Sequence, residues 1–185
     1  MFSGNKNATV PVLWGMPNKQ KRFDVLLNAL YADVYRYAFW LCKSKPMAED
    51  LVQETYLRAW KNFQNLKDEK AAKAWLFTIV RRENARQYER FQPELLDANE
   101  VSLVDTGISP GENSEYYLVQ QHIANLDIEF REPLILQLIG GFSAGEISLI
   151  LGVNKNTVLT RLFRARNKLK QRLSGKAVEK GASNG

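Results

Sequence analysis

The stretch 142–166, FSAGEISLILGVNKNTVLTRLFRAR, leaves this chain few ways to fold. Ser143 and Glu146 stand at capping-box spacing, so each side chain can satisfy a backbone N–H left open at a helix start. Ile147, Ile150 and Leu151 give the short helix that follows an apolar side. Gly152 falls where the chain must leave that helix with positive φ. Val153 can then plug a core, and Asn154 can cap a second helix. At about 100° per residue, Val158, Leu162, Ala165 and Leu169 share one narrow inward stripe. Two helices crossing steeply through a tight turn are expected, which is the helix-turn-helix plan.

The second helix explains why that plan matters. From Lys155 to Arg172 it carries Lys155, Arg161, Arg164, Arg166, Lys168, Lys170 and Arg172, and no acid. Its outward side presents Thr160, Phe163, Arg164, Asn167 and Gln171, flanked by Arg161, Lys168 and Lys170. A helix of this kind suits the DNA major groove. There Arg164 can reach a guanine edge or a phosphate, and Phe163 a thymine methyl or a sugar. The other bases supply salt-sensitive affinity for any sequence. Packing of Phe163 against a neighbouring unit of the same chain is the competing expectation.

The rest of the sequence also reads as helix. Strand-like alternation is absent, and Gly and Pro gather at a few breaks. Phe23, Leu26, Leu27, Leu30, Val34, Tyr37, Ala38 and Leu41 mark a helix over about 19–43. Pro46 suits the first turn of the next, about 46–63, whose Glu49 and Asp50 lie near the end the macrodipole makes favourable to acids. A third spans about 70–91, and a second unit holds helices near 115–125, 128–139, 143–151 and 154–173. The predicted fold is all-α, with two small helical domains at 19–91 and 115–173. An acidic flexible linker at 92–114 joins them, with a flexible extension at 1–18 and a fraying tail at 174–185.

Charge follows the same division. Residues 1–90 hold 16 Lys/Arg against 9 Asp/Glu, residues 91–115 hold 6 acids and no base, and residues 116–185 hold 10 bases against 5 acids. Two basic units flanking an acidic segment suit a polyanion gripped at two places. The single cysteine, Cys42, excludes an internal disulfide and is expected to be a buried structural thiol in a reducing compartment. No apolar run approaches the roughly 18 residues of a membrane span. The start has no signal-peptide order, so a cytoplasmic protein is expected.

The helix at 46–63 turns Asp50, Gln53, Glu54 and Leu57 to one side, with Leu51, Tyr56, Ala59, Trp60 and Phe63 able to pack. Paired carboxylates can serve acid–base chemistry. Here no nucleophile, phosphate cradle or metal set accompanies them, and the one histidine, His122, lies in the other unit. A docking face for a protein suits acids, an amide and a leucine together. No enzyme, cofactor or metal site is expected. A recombinase or nuclease with a helix-turn-helix is disfavoured because no serine occurs between Ser44 and Ser102 and no carboxylate cluster is evident. A stand-alone repressor is the other alternative.

Three ordered blocks, AEDLVQETYLRAWKNF, AWLFTIVRRENARQYER and LDIEFREPLILQLIGGFSAGEISLILGVNKNTVLTRLFRARNKLK, resemble an extracytoplasmic-function RNA polymerase sigma factor over about 22–173. The resemblance implies that the chain binds core RNA polymerase, recognises minus-10 and minus-35 promoter elements, and promotes promoter melting. It implies that Asp50, Leu51, Gln53, Glu54 and Leu57 meet the clamp helices of the largest polymerase subunit. The polymerase flap is implied as a further contact of the chain. Leu66, Lys67, Lys73, Arg81, Arg82, Arg86 and Arg90 would serve the minus-10 element, with Leu66 on the loop touching an unstacked base. Trp75 and Phe77 are expected in the core. Lys155, Thr157, Leu159, Thr160, Arg161, Phe163 and Arg164 would serve the minus-35 element. An anti-sigma protein masking these surfaces is implied too. The chain departs from the family pattern at Arg82, Gly145, Asn156 and Leu159, so base preference is not carried over.

Overall fold

The computed structural model describes residues 18–90 and 114–181, so nearly all of the expected extension and linker lies outside the described residues. Seven α-helices are present there, and no strand: α1 (Lys19–Cys42), α2 (Lys45–Asn62), α3 (Ala72–Arg90), α4 (Ser114–Ala124), α5 (Ile128–Leu138), α6 (Ala144–Leu151) and α7 (Lys155–Gly181). The all-α expectation holds. Two short 3₁₀ turns, Phe63–Asn65 and Glu69–Ala71, connect α2 to α3.

Local chemistry accounts for most boundaries. The Asn18 side chain accepts from the Lys21 backbone N–H at 2.9 Å and starts α1. Lys43 ends it in the left-handed region, at φ 54°. Pro46 lies in the first turn of α2, but the helix begins at Lys45, so Glu49 and Asp50 fall beyond its first turn. The dipole reading of those two acids is therefore corrected, since the effect fades within one turn. Helix α7 continues to Gly181, past the expected end at 173. Gly175 alone costs about 1 kcal/mol in a helix interior, and no proline follows to stop it. No described helix is long and apolar enough to cross a membrane.

The apolar stripes meet as their spacing dictates. In the N-terminal unit Leu26, Leu30, Val34 and Tyr37 of α1 close on Leu51 and Ala59 of α2 and on Leu76, Phe77 and Val80 of α3, all buried. In the C-terminal unit Leu134, Ile135 and Leu136 of α5 meet Ile147 and Ile150 of α6 and Val158, Leu162 and Ala165 of α7. The two units also pack on each other. The Phe77 ring stacks on Tyr37 at 5.0 Å between centroids and takes the edge of Phe142 at 5.0 Å. Lys43 of one unit and Arg131 of the other both donate to the Ala124 carbonyl, at 3.2 and 2.9 Å.

Gly140 makes the Phe142 contact sterically possible. A Cβ at 140 would sit 2.4 Å from that ring and 2.6 Å from the Leu136 carbonyl oxygen.

Candidate nucleic-acid interface and docking surfaces

The turn between α6 and α7 is built as its residues suggest. The Ser143 backbone N–H donates to the Glu146 carboxylate at 2.8 Å, and the Glu146 N–H donates to Ser143 Oγ at 3.3 Å. Gly152 takes φ 68° and ψ 32°, where a β-carbon would be strained. Val153 packs half-buried on the core, and Asn154 accepts from the Asn156 N–H at 2.7 Å. Val158, Leu162 and Ala165 are buried, with Leu169 packed beside them.

The outward side of α7 is accordingly open. Lys155, Leu159, Thr160, Phe163 and Arg164 are exposed, and Thr157 and Arg161 half-buried. Phe163 is 63% exposed, which excludes its packing against the neighbouring unit. Three bases of this helix are instead used to hold it on α5. Lys168 reaches Asp127 at 2.7 Å, Arg161 reaches Glu129 at 3.7 Å, and Arg166 donates to Gln137 at 2.6 Å. The hydrogen bond from Lys168 keeps the Asp127 carboxyl below its usual range. Thr160 Oγ1 donates to the Asn156 carbonyl at 2.9 Å. Lys155 and Arg164 have no side-chain partner among the described residues, which leaves them available to an anion.

Helix α3 is arranged differently. Lys73 is half-buried and donates to Asp33 at 2.9 Å, and Arg36 flanks that carboxylate at 3.5 Å. Buried Glu83 holds Arg86 at 2.7 Å and Arg58 of α2 at 3.2 Å. Arg81 donates to Glu132 of α5 at 3.1 Å. The same Glu132 oxygen accepts from the Tyr37 hydroxyl at 2.9 Å. Burial, with the Glu132 charge beside it, pushes the Tyr37 hydroxyl well above its ordinary pKa, so it stays a donor. Arg82 and Lys67 are exposed and have no such partner among the described residues. For Arg90, the backbone alone is described.

Two expectations are corrected here. Leu66 is 6% exposed, tucked into the core between the 3₁₀ turns, and so offers no surface to an unstacked base. Its neighbours Asn65 and Lys67 are exposed. Leu51 lies on the inner face of α2 and is fully buried, so the docking strip keeps only Asp50, Gln53, Glu54 and Leu57 on the surface. Phe77 is buried and Trp75 packs against the core, as expected. Cys42 is half-buried, 3.4 Å from Asn84 Oδ1, and burial pushes its thiol up to about 11.

The strip on α2 borders a feature that requires two helices. A groove of ≈ 570 Å³ between α1 and α2 is lined by Phe23, Leu27, Gln53, Tyr56, Leu57 and Trp60. An apolar floor beside an acid-and-amide rim suits an incoming helix better than a small solute. The buried carboxylates Asp33 and Glu83 also escaped the sequence reading. For Asp33 a signal existed, because it lies on the inward stripe of α1 between Leu30 and Tyr37. Among the described residues no group of His, Cys, Asp and Glu could hold a metal ion.

Comparison with known proteins agrees with this division. The Sigma-70 region 2 family matches residues 26–93, and the Sigma-70, region 4 family matches residues 117–169. The ECF RNA polymerase sigma factor SigL of Mycobacterium tuberculosis is 32% identical over 155 residues, covering 76% of this chain and 84% of that protein. EcfG of Rhodopseudomonas palustris, also an ECF sigma factor, is 32% identical over 156 residues, 83% of this chain and 86% of its own length. The sigma factor RpoE of Bartonella quintana, solved in complex with the anti-sigma factor NepR, superposes with a TM-score of 0.70 at 29% identity, covering 83% of this chain and 98% of that one. The chain therefore belongs to the extracytoplasmic-function (ECF) RNA polymerase sigma factors, alternative sigma factors that act in transcription initiation.

Proposed function

We propose that three surfaces divide the work of initiation. The exposed strip Asp50, Gln53, Glu54 and Leu57, with the groove beside it, receives a helical element of core RNA polymerase. The outward face of α7 enters the major groove at the minus-35 element, with Lys155 on phosphate and Arg164 on a base edge or phosphate. Lys67 and Arg82 form the open part of the minus-10 surface. Lys73, Arg81 and Arg86 adjoin it but are engaged by carboxylates of this chain. The protein works by binding, without chemistry of its own, in the cytoplasm where polymerase and chromosome meet. An anti-sigma protein is its regulator, as NepR is a partner of the similar RpoE.

The observation that carries this reading is the one-sided build of α7. Its inner stripe is buried, Arg161 and Lys168 are tied to Glu129 and Asp127 at the start of α5, and Lys155 and Arg164 have no partner among the described residues. A helix serving only to cover the core would have no cause to keep Arg164 exposed and without a partner among the described residues. The experiment is reconstitution of the full chain with core polymerase and sequencing of transcripts made in vitro from genomic DNA. Defined start sites that depend on the chain are expected, and their absence from every template overturns the reading. Glu54→Lys reverses charge on the docking strip alone. It should weaken polymerase association about tenfold or more while leaving affinity for isolated promoter duplex intact or higher, as measured by fluorescence anisotropy.

A further inference from the structure

Among the polar and cationic residues of its outer face, α7 also presents an apolar ledge. Leu159 is 48% exposed and Phe163 63%. At i, i+4 spacing the two side chains are neighbours on one side of the helix. Both lie within the first three turns, directly after the tight turn that projects this end of the helix. Neither ring contact nor buried packing occupies them among the described residues. The contacts of Arg161 and Lys168 to α5 fix the rotation of α7, so the ledge is held outward.

The surroundings select what covers it. Lys155 and Arg164 sit beside the ledge as cations without a partner among the described residues, and Asn156 and Thr160 add polar rim. The matching surface must be anionic at its margins and carry a small apolar projection between them. The major groove at thymine has this form, with phosphates along the walls and the C5 methyl group on the floor. A bare phosphate track would leave a leucine and a phenyl ring in water. We propose that Leu159 and Phe163 read thymine methyl groups, selecting A·T pairs beside the position contacted by Arg164. This rests on the assignment of α7 to the minus-35 element.

The test uses the full chain with core polymerase. Duplexes are selected by this holoenzyme from a random-sequence pool, and the tightest is remade with deoxyuridine at each thymine of the α7 footprint in turn. The substitution removes only the methyl. At two positions, loss of that group should weaken wild-type binding about fourfold, the effect of one buried methylene-sized group. Leu159→Ala should be insensitive to deoxyuridine at one such position, and Phe163→Ala at the other. Both side chains are exposed, and denaturation curves matching wild type check that the variants fold. A footprint without thymine, or binding within 1.5-fold at every deoxyuridine, about the error of such a measurement, overturns the proposal and leaves the ledge to a protein partner. If Arg164→Ala still loses affinity on that duplex, only the methyl reading falls. If Arg164→Ala is silent as well, the placement of α7 on DNA falls with it.

Discussion

Helices α3 and α7 are both basic, yet their charges serve different ends. Lys73, Arg81 and Arg86 of α3 each end on a carboxylate of this chain, at 2.9, 3.1 and 2.7 Å. Two of those carboxylates, Asp33 and Glu83, are buried. On α7, Arg161 pairs with exposed Glu129 of α5 and Lys168 with exposed Asp127 just before it, while Lys155 and Arg164 pair with nothing described. The difference is one of solvation. A carboxylate taken out of water must be compensated by a nearby cation, so bases near Asp33 and Glu83 become part of the framework. Bases facing solvent carry no such obligation and remain available to phosphate. Counting Lys and Arg on a helix therefore overstates its capacity for DNA.

The sharpest way to break that comparison is Lys73→Ala. It leaves buried Asp33 with Arg36 alone, at 3.5 Å, so a loss of about 3 kcal/mol is expected, the lower end of the range for breaking a buried pair. Urea unfolding should show a loss of that order. Unchanged stability with lost promoter affinity would mean that Lys73 belongs to DNA after all. Arg164→Ala should behave in the opposite way. It should lose roughly 1–3 kcal/mol of affinity for minus-35 duplex if it reads a base edge, with unfolding shifted by no more than about 0.5 kcal/mol. An equal loss for every duplex sequence would reassign it to phosphate.

Glu132→Gln probes the contact between the two units. The amide keeps an acceptor for Tyr37 but loses the charge that holds Arg81, so a destabilisation of about 1 kcal/mol is expected. Arg81 would then be freer, and affinity for single-stranded DNA should rise in anisotropy titrations. A fall would place Glu132 in positioning Arg81 for DNA. The smallest effect belongs to Arg82→Ala, which removes one exposed base of α3. Binding should weaken evenly across sequences, with the salt slope reduced by about 1. A change of base preference would show that Arg82 reads sequence.

The legibility of the site followed its range. The helix-turn-helix could be read in full because each of its parts is local. The capping box spans four residues, the glycine turn one, and the inward stripe repeats within a single helix. Phe163 was legible as an outward residue for the same reason, and its exposure excluded the alternative of packing between units. Leu66 was not legible. A leucine in a polar connection looks available until the folded chain turns it into the core. The role of Lys73 was hidden because its partner stands 40 positions earlier in the chain. The groove beside Leu57 needs side chains from two helices, and Glu132 meets Tyr37 and Arg81 only when the units pack.

The sequence by itself determined the helices, the turn, the inward stripes and the basic character of both units, since those depend on spacing and on side-chain chemistry over one or two turns. Tertiary structure alone decided which cations are free. That depends on where the carboxylates of other helices come to lie and how dry those places are, and no local pattern records either.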